Sequence, residues 1–278
     1  LRRMLVFLLL SNLSFSGAVQ SGIFGGREAK PHSRPYMASL QIPTHSTPPG
    51  HHTCGGVLIR EDYVLTAAHC HKAEVVVLGA HNISMKEKSQ QRINISEYTP
   101  HPKYPKKQLP VGDPRNQEHD IMLLKLKTPA KLNKYVKVLE LPKKYGKIPA
   151  GVQCEVAGWG KRVLGRWAES VLYEAYVTLD KAANCKRIWE KYFNQDQMTC
   201  SISDGREGVC QGDSGGPLIC KQAKARILYG VTAYTGEPCD NKDFPEVYTR
   251  VPYFLPWIKE VLGMNNALET PGSDRSWV

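Results

Sequence analysis

A serine set among glycines, Gly212-Asp213-Ser214-Gly215-Gly216-Pro217, is the strongest chemical signal in this 278-residue chain. Glycines on both sides let the backbone turn sharply and come close to a ligand. A serine hydroxyl exposed on such a turn would be placed to attack a carbonyl. The backbone N–H groups of Gly212 and Ser214 could together bind the oxyanion that forms. An ordinary glycine-rich hairpin turn has the same composition, so the chemistry needs partners elsewhere in the chain. Serine is a weak nucleophile without a base. His69, inside Leu65-Thr66-Ala67-Ala68-His69-Cys70, is the candidate base, and Cys70 can pin it to Cys54, just before Gly55 and Gly56. The third member should be a buried carboxylate that holds the imidazole in one tautomer. Asp120 fits, because it opens the apolar run Ile121-Met122-Leu123-Leu124, where an unpaired charge would be costly.

The elements that must position these residues read as short β-rich runs between turn signals: Val64–Ala68, Glu74–Leu78, Ile121–Leu126, Gln153–Ala157, Pro217–Cys220, Ile227–Thr232 and Glu246–Arg250. Such spacing predicts an all-β barrel or sandwich. Pro43–His52 reads as a Pro- and His-rich loop, and Tyr104–Glu118 as a longer one. Tyr253–Leu262 reads as an amphipathic helix, with Phe254, Trp257, Ile258 and Val261 at helical spacing and Gly263 as its stop. Residues 264–278 read as a disordered polar tail. His51, His52, His69 and His71 could suggest a metal site, but His69 is already the base and the other three read as surface groups in a loop, and no cofactor is expected.

Eight cysteines, an even number with no C-x-x-C pair, predict four structural disulfides and an oxidising compartment. Eight cysteines alone allow on the order of a hundred connectivities. Arg2 and Arg3 followed by the apolar run Met4–Leu10 and by Ser16, Gly17 and Ala18 have the layout of a signal peptide ending near residue 18. That run is well short of the ~20 residues that span a bilayer, so no membrane anchor is expected. Asn82-Ile83-Ser84 and Asn94-Ile95-Ser96 are candidate N-glycan sites. Lys and Arg number 37 against 26 Asp and Glu, a formal charge of +11. Net charge alone predicts attraction to polyanions without choosing among them. The stretch holding Lys131, Lys134, Lys137, Lys143, Lys144 and Lys147 reads as a solvated face, or more sharply as a surface for acidic glycosaminoglycans or proteoglycans; a nucleic-acid partner is not expected.

With several further motifs in the same order, residues 23–262 resemble the chymotrypsin-like (trypsin-fold) serine proteases. The motifs are Ile23-Phe24-Gly25-Gly26, Gly158-Trp159-Gly160, Val247-Tyr248-Thr249-Arg250-Val251 and Trp257-Ile258. Glu28 to Ala38 is similar to the granzyme, mast-cell chymase and cathepsin G branch, granule proteases of immune cells. The resemblance implies two packed antiparallel six-stranded β-barrels with a C-terminal α-helix. It implies a secreted or granule-stored endopeptidase acting on proteins and peptides and inhibited by serpins. Ser214 would be the nucleophile, His69 the base, Asp120 the orienting carboxylate, and Gly212 and Ser214 the oxyanion hole. Cleavage after Gly22 would remove a short propeptide, 19–22, and free Ile23 to pair with Asp213. The disulfides implied are Cys54–Cys70, Cys154–Cys220, Cys185–Cys200 and Cys210–Cys239, the last one absent from much of the chymase and granzyme B group. The implied substrate pocket has Gly208 at its floor, six residues before Ser214, with Glu246 on its wall and Thr235 at its entrance. An acid at 246 implies mixed acceptance of Lys/Arg and large apolar side chains, whereas Thr235 would narrow the entrance. Two alternatives remain: a cationic, protease-shaped binding or antimicrobial protein without activity, and a digestive protease of the same fold.

Overall fold

The apolar runs beside His69 and Asp120 become paired strands. A computed structural model describes residues 23–44, 50–107, 109–110, 113–143, 146–161, 170–202, 205–222 and 225–264. The expected signal peptide, propeptide and polar tail (bar Met264) lie outside these. The strands are β1 (Arg27–Glu28), β2 (Met37–Ile42), β3 (His51–Arg60), β4 (Tyr63–Thr66), β5 (Val75–Leu78), β6 (Gln91–Pro100), β7 (Met122–Leu126), β8 (Gln153–Gly158), β9 (Tyr173–Thr178), β10 (Met198–Cys200), β11 (Pro217–Gln222), β12 (Ala225–Tyr234) and β13 (Val247–Arg250). The helices are α1 (Ala182–Trp189) and α2 (Val251–Val261).

Six strands close into a barrel in the order β2-β3-β4-β7-β6-β5, all neighbours antiparallel. Val57, Leu58, Val64, Leu65, Val76, Val77, Leu123 and Leu124 are fully buried in it. The other seven strands form a sheet in the order β1-β9-β8-β11-β12-β13-β10. Its two ends approach through β9. Residues 173–174 of β9 pair with β1, and just beyond its other end Leu179 bridges Ser201 beside β10. Ile202 N–H also donates to Thr178 O at 2.7 Å. The second expected barrel is therefore a seven-stranded sheet drawn round by one bridge, because β9 serves both edges.

All seven expected runs lie in or beside strands, with shifted ends. Val64–Ala68 stops as a strand at Thr66 and gives way to a tight helical turn, Ala68–Cys70. The expected loop Pro43–His52 is corrected at its end, where His51 and His52 start β3 and His52 is 5 % exposed. The strands β1, β2, β3, β6, β9 and β10 and helix α1 are additional. Strands β2, β3 and β9 break the polar-out pattern, because Ser39, Gln41, His52 and Glu174 face inward. Each has a partner. Arg34 pairs with Glu155 at 3.1 Å and Glu174 at 2.7 Å, and Arg226 reaches Glu155 at 2.6 Å. Buried acids are tolerated when paired in this way. Helix α2 starts two residues before the expected Tyr253 and buries Val251, Phe254, Leu255 and Ile258, one face at helical spacing. All four implied disulfides are present, and no cysteine is free.

Candidate active site

Strand β4 delivers His69. Its chain leaves the barrel at Thr66 and winds into the turn Ala68–Cys70, and the Cys54–Cys70 disulfide ties that turn to β3. Asp120 comes from the barrel as well. It precedes β7 and is 1 % exposed, with His119 just before it in the left-handed region at φ 56°. Both oxygens of this carboxylate face one residue. Asp120 Oδ1 accepts the His69 backbone N–H at 3.0 Å, and Oδ2 accepts from His69 Nδ1 at 2.6 Å. The pair holds the proton on Nδ1 and leaves Nε2 as an acceptor. Burial by itself lowers the His69 pKa. The charge and hydrogen bond of Asp120 outweigh it, and the pKa stands above the ordinary 6.5.

The other sheet delivers Ser214, on the turn that leads into β11. Gly212 and Gly215 have φ of 99° and 79°, which favours glycine. A Cβ on Gly215 would strike the Gly55 carbonyl oxygen at 2.5 Å. Gly55 N–H donates to Ser214 O at 2.7 Å, and Cys70 Sγ lies 3.8 Å from the same oxygen. The serine turn is thus seated against the disulfide that anchors His69. Among the described residues, the N–H groups of Gly212 and Ser214 have no hydrogen-bond partner, whereas the Asp213 N–H between them donates to Cys210 O at 2.9 Å. Two free donors two residues apart can hold one oxyanion.

Asp213 turns away from this face and is 1 % exposed. Its oxygens accept the N–H of Gly160 at 2.8 Å and of Cys210 at 2.9 Å. Burial pushes its carboxyl up to about 7, against the pull of these two bonds. A Cβ on Gly160 would sit 2.5 Å from Asp213 Cγ, which gives the Gly158-Trp159-Gly160 motif its physical reason. Ile23 is fully buried in the cluster that includes Val209, and Phe24 bridges Gly208. The start of the expected mature chain therefore lies along 208–209, next to Cys210 and its bond to Asp213.

Sequence reasoning missed His52. Its Nε2 donates to Gly212 O at 3.0 Å, and its Nδ1 accepts from Ser39 Oγ at 2.8 Å. Gln41 Nε2 in turn donates to Ser39 Oγ at 3.0 Å. Burial lowers the His52 pKa to about 4, so the ring is neutral. Position next to Thr53-Cys54 was the one available signal.

The expected pocket residues separate. A cavity of about 180 Å³ beside Ser214 is lined by Thr235, Thr232, Glu237 and the Cys210–Cys239 disulfide. Gly208 and Glu246 are not in that lining and meet one another, since a Cβ on Gly208 would collide with Glu246 Oε1. Glu246 is 3 % exposed, and its Oε2 accepts from the buried Ser201 hydroxyl. Of the sequon residues, Asn94 is exposed on β6, and Asn82 is half-buried with Oδ1 accepting from Ser84 N and Oγ at 2.9 and 2.7 Å. Among the described residues, no helix is long and apolar enough to cross a membrane. Two clusters at metal-ligand spacing include Cys54–Cys70 and Cys185–Cys200, whose sulfurs are already used in disulfides.

Comparison with known proteins agrees with this arrangement. The trypsin family model matches residues 23–258. Granzyme B of Rattus norvegicus is 41 % identical over 263 residues, covering 93 % of this chain and 99 % of the relative. Cathepsin G of Homo sapiens is 39 % identical over 273 residues, 96 % and 98 % of the two chains. Mast cell protease 2 of Meriones unguiculatus is 40 % identical over 263 residues, 94 % and 99 %. With its barrel, its paired His69 and Asp120 and its glycine-bounded Ser214, the chain belongs to the trypsin family of serine proteases.

Proposed function

We propose that this chain is the precursor of a secreted or granule-stored endopeptidase working through Ser214, His69 and Asp120. The observation that carries the reading is the double hydrogen bond from His69 to Asp120, with the Ser214 turn seated against the same disulfide. The Ser214 hydroxyl adds to the substrate carbonyl carbon as its proton passes to His69 Nε2. The N–H groups of Gly212 and Ser214 hold the oxyanion. Collapse breaks the C–N bond, and the amine leaves with the proton from His69. Water then attacks the acyl-enzyme by the same path and restores Ser214.

Activation follows from cleavage before Ile23. The new ammonium supplies the cation that buried Asp213 lacks, and the pair fixes the turn carrying Gly212 and Ser214. Specificity is mixed, with Glu246 favouring Lys and Arg while large apolar side chains such as Phe, Tyr and Leu are accepted as well. Exposed Lys131, Lys134, Lys137, Lys143 and Lys147 support storage on acidic glycosaminoglycans; Lys144 lies outside the described residues. Serpins are the expected inhibitors, and Asn82 and Asn94 the expected glycan sites. The relatives named granzyme B and cathepsin G support the granule reading over a digestive role.

A serine-reactive phosphonate tests the proposal. Protein beginning at Ile23 should label, and Ser214→Ala should not. A correctly processed chain that resists labelling would favour the inactive, cationic binding protein instead.

A further inference from the structure

Next to His69, away from the cavity beside Ser214, runs a larger cleft of about 910 Å³. His69, His101, Tyr104 and Tyr234 form part of its lining, together with two lysines from different segments, Lys72 and Lys106. The cleft and the cavity share Ala233 and Tyr234, so a peptide with one side chain in the cavity continues into the cleft. We propose that this cleft selects acid: Lys72 and Lys106 favour substrates with Asp or Glu close to the scissile bond but outside the residue held beside Ser214. The inference rests on the catalytic reading above and names a substrate class for that site.

The charge balance around the cleft carries the argument. Lys72 and Lys106 are exposed, and neither is in an ion pair among the described residues. Among the described residues, no acid is in the cleft lining. An adjoining cavity adds Lys103 and Lys107, exposed and likewise outside any ion pair among the described residues. Near that cavity Asp113 is neutralised by an ion pair, while Glu118, bonded to a neutral amide, keeps its charge against Lys103, Lys106 and Lys107. Glu118 Oε1 accepts from Asn194 at 3.0 Å, and Asp113, next to the lining residue Arg115, pairs with it at 2.7 Å. Asp120 lies behind His69 and is occupied by it. Two of the rings add no positive charge here: burial lowers His101 in the cleft to about 4 and also lowers His119 in the adjoining cavity. The opposite sign sits at the cavity, where Glu237 is the acid in the lining and receives Gln211 Nε2 at 3.1 Å. A peptide lying across both would meet a negative rim at the cavity and a positive wall beyond it. Exposed pairs of this kind are each worth up to about fivefold, so two lysines together set a ceiling of about 25-fold, which screening brings down to roughly tenfold or less.

The test uses activated enzyme and fluorogenic peptides with Phe at the cavity position and Glu or Gln placed in turn at the four positions before it and the three after. The expected result is a kcat/KM about fivefold to tenfold higher for Glu at one or more positions, shrinking as salt is raised and lost in the Lys72→Ser, Lys106→Ser double variant. Equal rates for Glu and Gln at every position, in enzyme that an uncharged phosphonate labels fully, would overturn this inference and leave the catalytic reading intact. A preference that persists at high salt would also overturn it, and this needs the wild-type enzyme alone. Failure of the labelling itself would overturn the catalytic reading and this inference with it.

Discussion

His52 Nε2 donates to the carbonyl oxygen of Gly212 at 3.0 Å, across 160 residues of sequence. This bond joins β3 of the barrel to the turn that carries Ser214. It fixes the peptide plane that follows Gly212, the residue whose own N–H faces the proposed oxyanion. Replacing His52 with Phe removes the donor and leaves Ser39 and the Gly212 carbonyl without it in a buried site. We expect kcat to fall about tenfold or more, short of the ~10²–10³ that accompanies loss of an oxyanion donor itself. KM should change little. Steady-state kinetics on the activated enzyme checks this, and a loss confined to KM would contradict it.

The pair of His69 with Asp120 sets the pH profile. Its raised pKa means that the pair stabilises the fold most fully below 6.5, and that this contribution fades as pH rises through the folded value. Activity runs the other way, because the base must be neutral. The acid limb of kcat/KM should therefore lie above 6.5. Asp120→Asn should lower kcat by about 10³–10⁴ through the wrong tautomer. An acid limb at or below 6.5 in the wild type would count against the geometry.

If cleavage frees Ile23 to pair with it, Asp213 should titrate differently before and after activation. In the uncut chain its carboxyl, raised to about 7, binds a proton that the unfolded chain has lost above the ordinary 3.8. Stability from this group therefore falls as pH rises from about 4 to about 7, and the burial penalty is complete above that. After cleavage the Ile23 ammonium should pull the value below 4. Carbon-13 NMR of uncut and cut Ser214→Ala protein reads this directly. A buried carboxyl titrating near 7 in both forms would exclude the pairing.

Glu246 gives the clearest test of pocket specificity. Its carboxylate is held by the Ser201 hydroxyl and lies against Gly208. A peptide-library digest with wild type and Glu246→Ala should show cleavage after Lys and Arg falling at least about tenfold, with cleavage after Phe, Tyr and Leu kept. Retained basic cleavage would move the role to Glu237, which lines the cavity.

The reactive residues were legible because their chemistry needs particular types in particular local settings. A nucleophilic serine needs glycines around it. A buried carboxylate at the head of an apolar run announces a partner. Seven strands were legible as apolar runs, and α2 as a helical stripe. Strands β2, β3 and β9 were not, because sequence pattern treats polar residues as outward-facing, and Ser39, Gln41, His52 and Glu174 point inward.

Sequence by itself singled out the side chains that could carry acyl transfer, and the family resemblance implied a part for Asp213 and Ile23 in activation. Tertiary structure alone decided what these residues touch. It put both oxygens of Asp120 on His69, joined His52 to Gly212, set Glu246 against Gly208 outside the lining of the cavity, and lined the neighbouring cleft with Lys72 and Lys106. The physical reason is that hydrogen bonds and charge pairs act over a few ångströms, whereas these partners are brought together only when the barrel and the second sheet close on each other.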